Sequence, residues 1–306
     1  DGAVKTFNGE TATDSFTASD TITVKATPTP TGDAPTKAAA RLLGGAPAAG
    51  QMAVFVNDTQ VSASVNAVDG AYTMTVSAAE VLVAAGGPGT GITLTAKFVG
   101  NDSMADGEGT VTVNISAAAK VVNGSYTTYV GDLADAFKTE NNGAAITLLA
   151  DVTRTAMLDI RITCSLDLGG HTITCTGLAV NIWSNGNLTI QGTGEIISAS
   201  NWALDVGGKV TLEGGTFTSK DPYSQGVYVN SSGASLSVTG KNVTIQNTGG
   251  GYGLAISNAQ SVQLSGGKYS GTAGAIATFN SLTLGDLLAH SGDTRYAYFD
   301  ESGTTP

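Results

Sequence analysis

The chain has 306 residues, of which only 13% are charged, and its 14 Lys and Arg against 25 Asp and Glu give a net charge of −11. That balance excludes a nucleic-acid partner, because affinity for a polyanion comes chiefly from phosphate neutralisation by Lys and Arg. Forty-one glycines and 6% aromatics suit a turn-rich all-β protein rather than a helical one, and no apolar run approaches the ~18 residues of a membrane span.

Asp1 opens with neither the charged nor the apolar region of a secretion signal. The sequence therefore reads as a mature piece of a longer chain, with neighbouring modules as its first expected partners. Residues 1–117 show short alternating strands, DTITVKATPT, QMAVFVND, YTMTVSA, ITLTAKFVG and GTVTVNIS, separated by turn signals such as VDG and GGPGTG. This is the pattern of an antiparallel β-sandwich. The loop GNDSMADGEG offers Asp102, Asp106 and Glu108 with glycines. It is a weak calcium-loop candidate without EF-hand spacing, or simply a solvated turn, and no other cofactor is expected.

After the small-residue connector Ser116–Lys120, the stretch YVGDLADAFKTENNGAAITLLADVT predicts a short helix near 132–140. Asp132 is its N-cap candidate, and Leu133, Ala136 and Phe137 lie on one face. A strand follows at Ile146. From there one phrase keeps returning: SLDLGGHTIT, LTIQGTGEII, VTLEGGTFTS, LSVTGKNVTI and VQLSGGKYSG. Aligning Ile146, Leu166, Leu188, Val210, Leu236, Val262 and Leu282 gives a period of about 20–26 residues, the mark of a solenoid. With three short strands per unit, 118–306 reads as a right-handed parallel β-helix of about seven coils, its alternate apolar side chains stacked inward and the short helix capping its first coil.

Cys164 and Cys175 form no metal-binding spacing. Cys164 shares inward parity with Leu166 and Leu168, and both a buried-thiol pair and a disulfide stay open.

Two resemblances rest on these residues. The run Thr21–Ile115, with its ITLTAKFVGND and GTVTVNI strands, resembles the bacterial Ig-like repeats of surface proteins. The run from Val122 to Leu288, carried by DAFKTENNGAAITLLADVT, LDLGGHTIT and the recurring LxIxGxG, resembles the pectin-lyase-like β-helix modules of Firmicutes surface proteins. Together they imply an extracellular fragment of a Gram-positive cell-surface or cell-wall-attached protein.

Chemistry on a β-helix of this kind needs acids on adjacent coils and a nearby cation. The expected outward row of the first strands, Asp167, Thr189, Thr211, Ser237, Gln263 and Thr283, holds one carboxylate. The next outward set, Gln191, Glu213, Thr239 and Ser265, adds one more, while Glu195 and Asp205 fall on other faces. A flat Thr row could order water, but Ser237 and Gln263 interrupt it. The arginines of this half are Arg154, Arg161 and Arg295, and His171 in GGHT reads as a structural or surface residue. The reading is of a non-enzyme, with a polysaccharide lyase or hydrolase and a pure structural spacer as alternatives. Trp183, Tyr223 and Tyr228 are expected to face outward beside Asn181, Asn185 and Asn230. Rings beside amides are what carbohydrate binding uses, so the expected function is an adhesin or stalk that binds host or dietary glycan, or a host surface protein. Covering the edge of a corner is the plainer role for the same rings. Trp202 and Tyr252 share inward parity and are expected in the core.

Overall fold

The computed structural model describes residues 4–7, 15–27, 48–101 and 106–279. The chain is mostly β and divides into two compact units, 1–117 with 127–132, and 118–126 with 133–306.

Among the described residues the first unit holds two sheets. In one, Thr21–Ala26 pairs antiparallel with Tyr72–Ser77 and parallel with Val4–Phe7. In the other, the order is Ser15–Thr17, Gly107–Ser116, Gly89–Phe98, Gln51–Val56 and Thr59–Gln60, with Val65–Asn66 also on Gln51–Val56. Tyr72–Ser77 alternates buried and exposed residues, as a strand with one face on a core must. Phe16, Ile22, Phe55, Met74 and Leu94 are among the core side chains, each worth roughly 1.5–3 kcal/mol of apolar burial. One element was not expected, an α-helix over Ala78–Ala85 that buries Ala78, Val81 and Leu82 and ends on Gly86 in the left-handed region. Its sequence signal is Ser77 followed three residues later by Glu80, a capping-box spacing, although the Ser77 side chain makes no cap hydrogen bond.

The second unit is a β-solenoid of right-handed type with about six turns. Its three parallel sheets each take one strand per coil. The first sheet runs Ala145–Leu148, Thr163–Asp167, Asn187–Gln191, Lys209–Leu212, Ser235–Val238 and Ser261–Leu264. The second runs Val152–Arg154, Thr172–Cys175, Glu195–Ser198, Thr216–Ser219, Thr244–Asn247 and Lys268–Gly271. The third runs Leu158–Ile160, Val180–Ile182, Leu204–Val206, Val227–Asn230, Tyr252–Asn258 and Gly274–Thr278. The seventh coil, expected at Leu282, lies outside the described residues, as do Thr283 and Arg295.

The register differs from the expected alignment in one place. Leu166 pairs with Ile146 on one side and Ile190 on the other, while Leu188 pairs with Cys164. The shift is two residues, and two residues preserve the inward face. An apolar pattern of period two cannot detect it; only corner length can. The outward row becomes Ser165, Thr189, Thr211, Ser237 and Gln263. Asp167 moves beside Gln191, where its Oδ1 accepts the Gly169 N–H at 2.9 Å and closes the corner.

The recurring glycine has a steric cause. A Cβ on Gly214 would sit 2.4 Å from the Gly192 carbonyl oxygen, and one on Gly240 would sit 1.9 Å from the Glu213 carbonyl oxygen. The backbones of successive coils touch at this corner, so a side chain has nowhere to go.

At the start of the solenoid the expected helix forms as two 3₁₀ segments, Leu133–Phe137 and Thr139–Asn141. Leu133, Ala136 and Phe137 are buried, and the first segment packs on Leu158–Ile160 of the first coil. Alongside it Ala119–Asn123 pairs antiparallel with Ala145–Leu148 and covers the parallel edge.

Candidate functional site

The corner between the second and third sheets is built from one repeated position. Cys175, Ser198, Ser219 and Asn247 are register partners on four successive coils. Ser198 Oγ donates to the Gly177 carbonyl at 2.7 Å and accepts the Asn201 N–H, and Ser219 Oγ donates to the Asn201 carbonyl at 2.7 Å. Asn247 does most: its amide donates to the carbonyls of Asp221 and Ser224, and its Oδ1 accepts the N–H groups of Gly249, Gly250 and Gly251. These bonds hold the corner loops that carry Trp202 and Tyr223. Tyr223 is 90% exposed on a loop whose backbone is held from inside.

Along the outer face of the third sheet, Asp159, Asn181, Asp205 and Tyr228 occupy one column on four consecutive coils. Their inward neighbours, Leu158, Val180, Leu204 and Val227, are buried, so alternation sends the column outward. Neighbouring strands lie about 4.8 Å apart, and the column therefore spans roughly 14 Å along the axis.

At one end of the column stands Trp183, 38% exposed. Its Nε1–H donates to Asp159 Oδ1 at 2.7 Å, and the Arg161 guanidinium lies 4.0 Å from its ring centre. One face of the ring thus already holds a cation. The Asn181 amide reaches the same Asp159 oxygen at 3.5 Å, and the Asn185 amide donates to the Arg161 carbonyl at 3.0 Å. Asn185 is therefore occupied with closing its own corner.

At the other end, Tyr228 stacks on Trp202 with ring centres 4.6 Å apart at 37°. The expectation of a core Trp202 is corrected here: the chain turns into the third sheet at this residue, so inward parity no longer places the ring inside. Tyr252 differs from expectation in the same way. It starts its strand half-buried, packed edge-to-face on Phe279 at 6.3 Å. Asn230 donates its amide to the carboxylate of Asp205, and burial pushes that carboxyl up to about 6.

Sequence reading missed Asp205 and Asp159 as members of this face. The signal was an ionisable residue between two inward apolar ones, LDV and LDI, in a sheet whose relation to the rings became visible only through coil register. The remaining sequence candidates lie elsewhere. Asp106 Oδ1 accepts the Gly100 N–H at 2.6 Å, Glu108 sits in a strand opposite Lys97, and Asp102 lies outside the described residues. Among the described residues no group of three acids, histidines or cysteines could hold a metal ion. His171 Nδ1 lies 3.4 Å from Asp151 Oδ1 at the surface, and Asp151 also accepts the Thr172 N–H. The two thiols are free and buried on different sheets, with burial pushing Cys164 up to about 12. Glu195 accepts the Thr218 hydroxyl on the second sheet, away from the rings.

No family model, curated protein or solved structure matches this chain. Among the described residues no helix is long and apolar enough to cross a membrane.

Proposed function

We propose that the chain is a non-enzymatic fragment of an extracellular Gram-positive surface protein, an Ig-like module followed by a pectin-lyase-like β-helix, which acts as an adhesin or stalk and binds glycan. The observation that carries this reading is the stacked Trp202 and Tyr228 pair beside Asn181, Asp205 and Asn230 on one sheet face. Sugar C–H groups pack on rings, and amides and carboxylates take hydroxyls. A face that repeats once per coil suits a linear polymer laid along the axis.

The test is a glycan array probed with the intact chain beside Trp183→Ala and Tyr228→Ala, with and without calcium. Saturable binding lost in Tyr228→Ala is the expected result. A blank array from folded protein removes the adhesin reading and leaves the spacer.

A second reading is favoured by one feature. Asp159 and Asp205 lie two rungs apart, about 10 Å along the ladder, and burial pushes the Asp205 carboxyl up to about 6, the direction a general acid needs. Release of reducing ends from a bound polysaccharide, abolished by Asp205→Ala, would establish a hydrolase in place of an adhesin.

A further inference from the structure

The two ends of the third-sheet face differ in charge. At the Asp159 end Arg161 lies over Trp183, so a cation is already in place. At the Asp205 end the carboxylate has one hydrogen-bonding partner among the described residues, the neutral amide of Asn230, and no salt bridge involves Asp205 there. Asp205 is half-buried, so its charge is partly stripped of water without a counter-ion. Its neighbours are Asn181 on one coil and Tyr228 on the other, and Tyr228 is stacked on Trp202.

A carboxylate lacking a cation next to paired electron-rich rings is a recognition set for an ammonium group. The carboxylate supplies the counter-charge, and the ring faces attract the cation through their quadrupoles. A uronate or sulfated sugar would meet Asp205 as a like charge, on a chain already at −11. A neutral sugar would leave the Asp205 charge as uncompensated as before.

We propose that the face formed by Asp205, Trp202, Tyr228 and Asn181 selects a glycan carrying a protonated amine, an amino-sugar chain with free rather than acetylated nitrogen. This rests on the glycan-binding reading and names the ligand class for that same face. Asp205 is the specificity-determining residue.

The test is isothermal titration at pH 6.5, where both the amine and the carboxylate carry charge, with three probes, the β-1,4-linked tetramer of glucosamine, its fully N-acetylated counterpart and tetragalacturonate. The glucosamine tetramer is expected to bind at least ten-fold more tightly than the acetylated one, and tetragalacturonate not measurably. Asp205→Asn keeps a hydrogen-bond acceptor for Asn230 and is expected to erase that preference while retaining affinity for the acetylated tetramer. Asp58→Asn removes the same charge from a side chain 87% exposed in the other unit and is expected to change nothing. Equal affinities for the two tetramers, or a preference that survives Asp205→Asn, overturn the ammonium assignment and leave the adhesin standing. An equal loss in Asp58→Asn reduces the effect to bulk charge and overturns it too. Failure of every probe, with an array that is also blank, removes both readings. Tight binding of a lysine-rich peptide without the glucosamine tetramer would assign a basic polypeptide instead.

Discussion

The Asn230 amide donates to the Asp205 carboxylate from the next coil of the solenoid, and this neutral bond is what holds a desolvated anion on the third sheet. The carboxyl is raised from 3.8 to about 6, so the folded protein binds its proton more tightly than the unfolded chain does. Its contribution to stability is fully present below about pH 4 and is lost as pH rises from about 4 to about 6. Asp205→Asn is therefore expected to stabilise the protein at pH 7.5 by about 1–2 kcal/mol after allowance for partial exposure. At pH 4 the variant should match the parent. Thermal melts of both proteins at the two pH values check this, and equal melting shifts at both would sink it.

Asn247 satisfies five backbone groups at one corner. Asn247→Ala leaves buried donors and acceptors unpaired, at a cost of about 3 kcal/mol or more. Urea titration measures the loss, and hydrogen exchange is expected to localise faster opening to the loops around Asp221 and Gly250. Protection there unchanged from the parent would refute the assignment.

Gly240→Ala forces a methyl group against the Glu213 carbonyl and is expected to cost about 3 kcal/mol or more. Gly233, with nothing within 4 Å of an added Cβ, serves as its control, and Gly233→Ala should shift the urea midpoint little. A Gly240→Ala protein as stable as the Gly233→Ala protein would show that the coils have room to separate.

The Cys164 thiol is pushed up to about 12 by burial and Cys175 is equally enclosed. In the folded protein at pH 8 Cys164 should not react with a maleimide, because the thiolate is the nucleophile, and Cys175 should not because the reagent cannot reach it; both should react in 6 M guanidinium. Mass spectrometry of the labelled chain counts the adducts. Rapid labelling of Cys164 without unfolding would contradict the packing.

Much of the fold was legible because its signals are local. Alternation sent Leu188, Val210 and Leu236 inward, and the recurring glycine marked the corner where coil backbones meet. What was not legible depended on corner length. The pairing of Leu166 with Ile190 differs from the expected pairing by two residues, which parity cannot see. Trp202 was assigned to the core on parity that ends where its loop turns, although its stacking with Tyr228 is what shapes the candidate site. Tyr228, Asn230 and Asn181 were singled out from the sequence as candidates of one region, while Asp205 was set aside as lying on another face than the first-strand row, and only coil register places it between Asn181 and Tyr228. The Ala78–Ala85 helix went unread because it is only eight residues long and continues directly from a strand, although its alanines and the Ser77–Glu80 spacing favour a helix.

The hydrogen bonds between coils run along the solenoid axis, as ladder bonds must when every strand lies across it. Tension applied along that axis would load these bonds one coil at a time, like a zipper drawn from its end, instead of shearing them all together. Releasing the coil between Leu212 and Val238 would pay out roughly 90 Å of chain at about 3.5 Å per residue. The stacking that gives the scaffold its regularity would thus also make it a stepwise shock absorber, yielding at low force and lengthening in discrete increments.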